Sequence, residues 1–202
     1  MPTRSVMKFV DGNTTVSGGG NPSQAIYDTM HWSNMDYRQN NQGLDLWSHW
    51  KHALSTFTSV LEVGCGNGKL CEYMANFCHD VTGIDMVEGP YDRKGYQFYQ
   101  RDIVNDPMHV EYDLTVCFDV MEHLDIKDVN TVLKKIGGTS DHLIMSIACY
   151  GSPPLHLTVR TPGWWLDTLM EQLPLFHWKV LFIDFRHAKY YSPVVLFEGT
   201  KL

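Results

Sequence analysis

The chain has no excess of positive charge. Sixteen lysines and arginines stand against twenty-three aspartates and glutamates, a formal charge of −7, so a surface built mainly to neutralise nucleic-acid phosphates is not expected. There is no run approaching the roughly 20 apolar residues of a membrane span, and the opening stretch MPTRSVMKFVDGNTTVSGGG lacks the apolar core of a signal peptide. Close cysteine pairs are missing too. Cys65, Cys71, Cys78, Cys117 and Cys149 are odd in number and form no CxxC unit, which excludes the usual zinc-ribbon and dithiol motifs and predicts reduced core thiols in a cytoplasmic protein. No metal is expected either: His49 and His52 lie one helical turn apart, yet no third or fourth ligand accompanies them.

What is present is enough for one domain. The 202 residues carry 44% hydrophobic side chains, sufficient for one well-buried core and too few for two. Residues 1–23 read as a flexible lead-in, and residues 24–202 as the single domain. Within it, residues 24–57 are dense in aromatics with helical spacing at Trp47, Trp50 and Leu54, which predicts a lid of two helices broken near Gly43. From residue 58 apolar strands alternate with amphipathic segments. Strands are predicted at 60–63, 81–85, 96–103, 113–120 and 142–150, with helices at 69–77, 126–138 and 164–173; two more strands, 178–187 and 191–201, follow without a helix between them. The expectation is an α/β fold: a mainly parallel sheet covered by helices on both faces, with one antiparallel strand near an edge.

The glycines of VLEVGCGNGKL (60–70) come directly after the first predicted strand. A dinucleotide fingerprint would place its third glycine where Lys69 stands, and Gly68 arrives one residue early. A Walker loop needs four residues between its glycines and a following Lys-Ser/Thr, and GNGKL has neither. Phosphate is not the favoured ligand.

The stretch resembles motif I of class I S-adenosylmethionine-dependent methyltransferases, E/D-x-G-x-G-x-G, through Glu62, Gly64, Gly66 and Gly68. Further matches follow in order. Asp85 ends VTGID, Asp102 follows the third strand in QRDI, and Val120, Met121, Glu122, His123 and Leu124 fill a V-L-E-H-V-like signature after the fourth strand, a mark of small-molecule members. The resemblance covers approximately residues 58–200. It implies a Rossmann-like, doubly wound, mostly parallel seven-stranded sheet with one antiparallel strand and an N-terminal helical lid. It also implies S-adenosylmethionine as cofactor, with S-adenosylhomocysteine as product.

The same resemblance implies which residues meet that cofactor. Gly64, Gly66 and Gly68 let the backbone approach the methionine portion and the sugar, with Glu62 near the amino-acid end. Asp85 would accept the ribose hydroxyls with Met86 beside it, and Asp102 would face the adenine amino group with Ile103 as its apolar neighbour. Asp119 and Arg38 complete the expected cofactor contacts, Arg38 through the carboxylate.

The acceptor is expected to be a small molecule bearing an oxygen or nitrogen, with a sugar or nucleotide-linked metabolite as the favoured class. The N/D-P-P-Y/F motif of amino-methylating DNA enzymes is missing after the fourth strand, and Cys149 follows Ala148 rather than the proline of a pyrimidine C5 enzyme. Tyr27, Trp32, Tyr37 and Arg160 are the candidate substrate residues, since aromatic walls exclude water and stack on flat faces. His156 and then His123 are the candidate bases; the residues alone leave open whether either is catalytic or structural. Other readings also stay open: a cofactor-binding subunit without catalysis, methylation of nucleic acid or protein, and least of all an NAD-dependent oxidoreductase.

Overall fold

The computed structural model describes residues 42–87, 93–151, 155–184 and 193–202. The expected lead-in (1–23) and the first part of the lid (24–41) lie outside the described residues, as do residues 185–192, where the two final predicted strands end and begin.

Seven strands form one sheet: β1 (Ser59–Val63), β2 (Asp80–Asp85), β3 (Gln97–Gln100), β4 (Leu114–Phe118), β5 (His142–Ala148), β6 (Phe176–Asp184) and β7 (Val194–Lys201). Their order is β3-β2-β1-β4-β5-β7-β6. The first five pair in parallel, and β7 runs antiparallel to both β5 and β6. The single antiparallel strand expected near an edge is therefore β7, one place in.

Position explains composition. β1 lies between β2 and β4 and is buried at every residue, so it is mostly apolar, with Ser59 and Glu62 as its polar members. β3 is one of the two edge strands, exposed at Gln97 and Gln100 and half-buried at Phe98 and Tyr99 between them, which suits QFYQ better than a hydrophobic run would.

The helices divide between the two faces. α1 (Gln42–Asp45), α2 (Trp47–Trp50) and α3 (Lys69–Met74), with Leu46 between the first two, bury Leu46, Trp50, Leu70 and Met74 in one core. α4 (Ile126–Gly137) and α5 (Pro162–Gln172) bury Val129, Val132, Leu133, Ile136, Trp165 and Leu169 in the other. In α4 that spacing places one apolar stripe on the sheet. Its ends are set locally: Asp125 accepts from the Lys127 N–H at 3.1 Å as N-cap, and Lys134 and Lys135 sit in the last turn against the helix dipole. α5 opens on a Thr161 cap accepting from the Trp164 N–H at 3.2 Å, with Pro162 in the first turn.

Two expectations need correction. Gly43 does not break a helix: it lies inside α1, its missing side chain makes room for Leu70 and Phe118, and its carbonyl accepts from the Trp50 indole N–H at 2.7 Å. The break comes at Leu46, and the chain continues as a 3₁₀ turn over Lys51–Thr56. Predicted strands 96–103, 113–120 and 142–150 end earlier, at Gln100, Phe118 and Ala148, and helix 69–77 ends at Met74. The residues trimmed from those strands are the ones that turn toward the site. Among the described residues no helix is long and apolar enough to cross a membrane.

Candidate active site

The strand order reverses between β1 and β4, because the chain goes from β1 through β2 to β3 on one side and then returns to the other. At such a switch point the loops after adjacent strands part and leave a crevice at their carboxyl ends. Register sets what lines it. Val63 pairs with both Ile84 and Cys117, and Phe118 with Ser146, so Gly64, Asp85 and Asp119 leave the sheet side by side.

The glycine turn is held from β2. The N–H groups of Gly64 and Cys65 both donate to the Ile84 carbonyl, at 2.8 and 3.0 Å, and Gly68 N–H closes the turn on the Cys65 carbonyl at 2.8 Å. All three glycines have positive φ: +73° at Gly64, +50° at Gly66 and +69° at Gly68. Their surroundings differ. A Cβ on Gly64 would run into Val120 and one on Gly68 into the Tyr96 hydroxyl, whereas a Cβ on Gly66 would meet nothing within 4 Å. Gly64 and Gly68 are close-packing positions, and Gly66 faces open space.

Asp85 does more than end a strand. Its Oδ2 accepts from the Gly66 N–H at 2.8 Å and its Oδ1 from the Val87 N–H at 3.0 Å, so one carboxylate fixes both the glycine turn and the loop carrying Met86. Beneath them Glu62 is buried, and Cys71 Sγ–H donates to its Oε2 at 2.8 Å. Burial pushes this carboxyl up to about 8; the Cys71 bond works against the rise and the Asp85 charge with it.

Asp102 and Ile103 lie in the turn after β3. Asp102 Oδ1 accepts from the N–H groups of Val104 (2.9 Å) and Asn105 (3.3 Å), and Oδ2 from the Asn105 amide at 2.7 Å. Lys135, which the sequence reading passed over, clamps this turn from α4: its Nζ donates to the carbonyls of Ile103, Val104 and Asp106 at 3.0, 2.6 and 2.8 Å. Lys135→Met keeps the stem and removes all three bonds. It is expected to cost about 2 kcal/mol, a fall of roughly 4–8 °C in Tm for a chain of this size, with faster hydrogen exchange over residues 102–106; an unchanged melt would show the clamp to be decorative.

After β4 the chain adopts strained geometry. Among the described residues Asp119 is the non-glycine position with positive φ, +51°. It is held by its own N–H on the Ser146 carbonyl (3.1 Å) and by the Ser146 hydroxyl donating to Oδ1 at 3.0 Å. Such strain persists only where the surroundings over-determine it. Burial raises the Asp119 carboxyl to about 6, against the Ser146 bond. Glu122, next in the 3₁₀ turn Met121–His123, is fully buried. Its Oε1 accepts from the Ala148 N–H at 3.1 Å, and its Oε2 has no partner among the described residues. Burial, then the Asp119 charge, pushes it well above the usual carboxylate range.

The structure brings the two candidate histidines together. Thr158 sews the loop after β5 to the loop after β4, its N–H donating to the Glu122 carbonyl (2.9 Å) and its hydroxyl to the Leu124 carbonyl (2.7 Å). The rings of His123 and His156 then meet edge to face, centroids 4.9 Å apart. His123 Nδ1 lies 3.1 Å from the Leu155 carbonyl and His156 Nδ1 2.6 Å from the Tyr150 carbonyl. Burial lowers both, His123 to about 4, so both rings are neutral at pH 7. Glu122, His123 and His156 thus form one cluster, which the sequence reading had only as separate candidates.

The other candidates fall elsewhere or outside view. Arg160 is exposed, donates to the Val159 carbonyl at 2.8 Å and lies over the Trp164 ring at 5.5 Å. Arg38, Tyr27, Trp32 and Tyr37 lie outside the described residues. His49 stacks on Phe182, while His52 bonds Glu198 at 3.1 Å, so that pair does not converge. Cys149 is a buried thiol pushed up to about 12 by burial, which leaves no thiolate for nucleophilic attack. Trp50 is core, and Trp47 packs edge-on against it and against Tyr73. A polar cavity of about 410 Å³ lined by Glu111, Tyr112, Ser140, Asp141 and Lys201 opens at the opposite, amino ends of β4 and β5, away from this chemistry.

The fold is shared with known proteins. The chain superposes on magnesium protoporphyrin IX methyltransferase from Synechocystis, solved with bound SAH, at a TM-score of 0.64 and 16% identity over 90% of this chain and 100% of that one. It superposes equally on the N-methyltransferase NodS from Bradyrhizobium japonicum, also with SAH, at 0.62 and 15% identity over 89% and 99% of the two chains. In sequence it is similar to the ubiquinone biosynthesis O-methyltransferase of Acinetobacter baylyi, 34% identical over 39% of this chain. The match spans only 40% of the length of that relative. Residues 32–196 match the methyltransferase domain family, and with the glycine turn, the Asp85 anchor and the sheet order in place, the chain belongs to that family.

Proposed function

We propose that the protein is an S-adenosylmethionine-dependent methyltransferase that methylates an oxygen of a small molecule. The observation that carries this reading is the open face of Gly66 beside the Asp85 carboxylate, with the Glu122, His123 and His156 cluster one strand over. When bound, the cofactor supplies an electrophilic methyl group on a sulfonium. The residues that would hold it are Gly64, Gly66 and Gly68 at the methionine and sugar portions, Asp85 and Met86 at the ribose, Asp102 and Ile103 at the adenine, and Glu62, Asp119 and Arg38 around the amino-acid end. The chain's own work is to align the acceptor in line with that methyl group and to remove its proton. His156 is the first candidate to take the proton, because it is only half-buried, neutral at pH 7, and held by the Tyr150 carbonyl; His123 is deeper and second.

Oxygen is preferred over nitrogen because the relatives similar in sequence are named as O-methyltransferases. The acceptor class we carry is a sugar or nucleotide-linked metabolite, with a ubiquinone-biosynthesis intermediate as the second choice, taken from those relatives' names. The charge of −7 does not favour nucleic acid. A single domain over residues 24–202 working in the cytoplasm, with Tyr27, Trp32, Tyr37 and Arg160 on the substrate side, completes the proposal; five unpaired thiols suit a reducing compartment.

One experiment tests it. The purified protein is titrated calorimetrically with S-adenosylmethionine, with NADH as control, and then incubated with the donor and a panel of hydroxylated sugars, nucleotides and phenols while S-adenosylhomocysteine release is followed. Saturable binding and release with one panel member are expected, and Asp85→Asn should weaken donor binding by roughly ten- to a hundredfold, the worth of a charged hydrogen bond. No donor binding would end the reading; binding with no turnover on any acceptor would favour a non-catalytic subunit.

A further inference from the structure

We propose that Glu122, His123 and His156 hold a divalent transition-metal ion at the carboxyl end of β4, beside the place where the acceptor would sit. Their ligand atoms all lie within 4.8 Å of one another. Bonds of about 2.0–2.2 Å to imidazole nitrogen and carboxylate oxygen require these atoms to draw in only modestly, a change within reach of side-chain rotation.

The carboxyl supplies the independent sign of a missing partner. Glu122 is fully buried, its Oε1 is taken by the Ala148 N–H, and its Oε2 has no hydrogen-bond partner among the described residues. Buried polar atoms without partners are rare in folded proteins and mark a place where an ion or ligand belongs. The imidazoles are arranged to match. A neutral ring nitrogen 2.6 Å from a carbonyl must be the N–H donor, so the Tyr150 carbonyl fixes the His156 proton on Nδ1 and leaves the lone pair on Nε2. His123 Nδ1 lies 3.1 Å from the Leu155 carbonyl, and its neutral ring has one N–H to give to that carbonyl or to a second one. The Asp119 carbonyl also bonds that ring, a contact His123 would exchange for the ion. Metal-binding histidines are held in this manner, by a backbone carbonyl on the far nitrogen.

The donor set selects the ion class. Two imidazoles and one carboxylate suit zinc, cobalt, manganese or iron(II) rather than calcium or magnesium, and three protein ligands leave at least one position open. An acceptor oxygen in that position would lose its proton more readily, because a coordinated hydroxyl is far more acidic than a free one. The proton would then leave to solvent, and His156 would act as ligand instead of base. That consequence rests on the methyltransferase reading, whereas the ion site itself does not.

Co²⁺ is the probe, since its visible bands report imidazole coordination. The full chain, stripped with chelator, is titrated with Co²⁺ while absorbance, stoichiometry and melting are followed, and the same preparations are titrated with S-adenosylmethionine. One Co²⁺ per chain, a rise in Tm on binding, and at least a tenfold weaker site in both His156→Ala and Glu122→Gln are expected. Should Glu122→Gln not fold, His156→Gln decides alone, because that ring is only half-buried. Absence of saturable Co²⁺ binding, or binding undiminished in folded variants, overturns the proposal. Donor binding separates the two claims: a protein that takes Co²⁺ but not S-adenosylmethionine keeps the ion site and loses the methyltransferase reading, and the converse result removes only the ion.

Discussion

Gly66→Ala is expected to fold and to lose S-adenosylmethionine binding. The two halves of that outcome have separate causes. Gly66 sits at φ +50°, so an L-residue there is strained by about 1–2 kcal/mol, a cost the fold should survive. Among the described residues no atom beyond its two chain neighbours lies within 4 Å of the added methyl, so none of them needs to move for it. If that open space is where the backbone meets the donor, the methyl occupies it and also disturbs the N–H that Asp85 holds at 2.8 Å. A loss of roughly a hundredfold in affinity is expected, equivalent to about 3 kcal/mol, with Tm lowered by only a few degrees. Gly64→Ala and Gly68→Ala make the contrast. Their new methyl groups run into Val120 and the Tyr96 hydroxyl, so their damage should appear first in the melt. Wild-type affinity in a folded Gly66→Ala protein would show that the turn serves packing alone.

That contrast marks how far the sequence could be read. The central strands were legible because parallel strands buried on both faces must be largely apolar, as β1 and β4 are. The glycine turn was legible because its chemistry is local: the positive φ values and the strand before them lie within a few residues. Strand ends were not. Gln100, Phe118 and Ala148 stop their strands because the following residues make turns held by distant partners, such as Ser146 on Asp119. Nor does spacing reveal that Asp85 fixes the Gly66 and Val87 amides, or that Lys135 reaches back from α4 to three carbonyls.

The histidine cluster shows the same limit most sharply. His123 and His156 were each visible as candidates, but what joins them is the pair of Thr158 bonds between the loops after β4 and β5. Those bonds place a half-buried imidazole above a buried carboxyl with an unpartnered oxygen. Asp119 is strained and Glu122 buried in the same short stretch. Local rules are broken together where a site is built, and the break is visible only once the sheet has set the register.

The second large effect is expected in the pH dependence of donor binding, and its origin is Glu62. In the free protein burial raises this carboxyl from its ordinary 4.5 to about 8, so at neutral pH it holds its proton. In the proposed site it would stand near the amino-acid end of the cofactor, whose ammonium favours the carboxylate. Binding at lower pH must therefore expel a proton, and affinity should climb by up to about tenfold per unit as pH rises from about 6 to about 8, then flatten. The stability of the free protein should move the opposite way. Between 4.5 and about 8 the folded state holds a proton that the unfolded state has lost, so the Glu62 contribution falls as pH rises. Opposite slopes separate this coupling from a general pH effect on the fold. Calorimetry in two buffers of different ionisation enthalpy should register about one proton released per complex near pH 6.5, and Glu62→Gln should register none. Equal affinity at both ends of the range would mean that Glu62 does not sense the cofactor, and that the buried acid serves only its bond from Cys71.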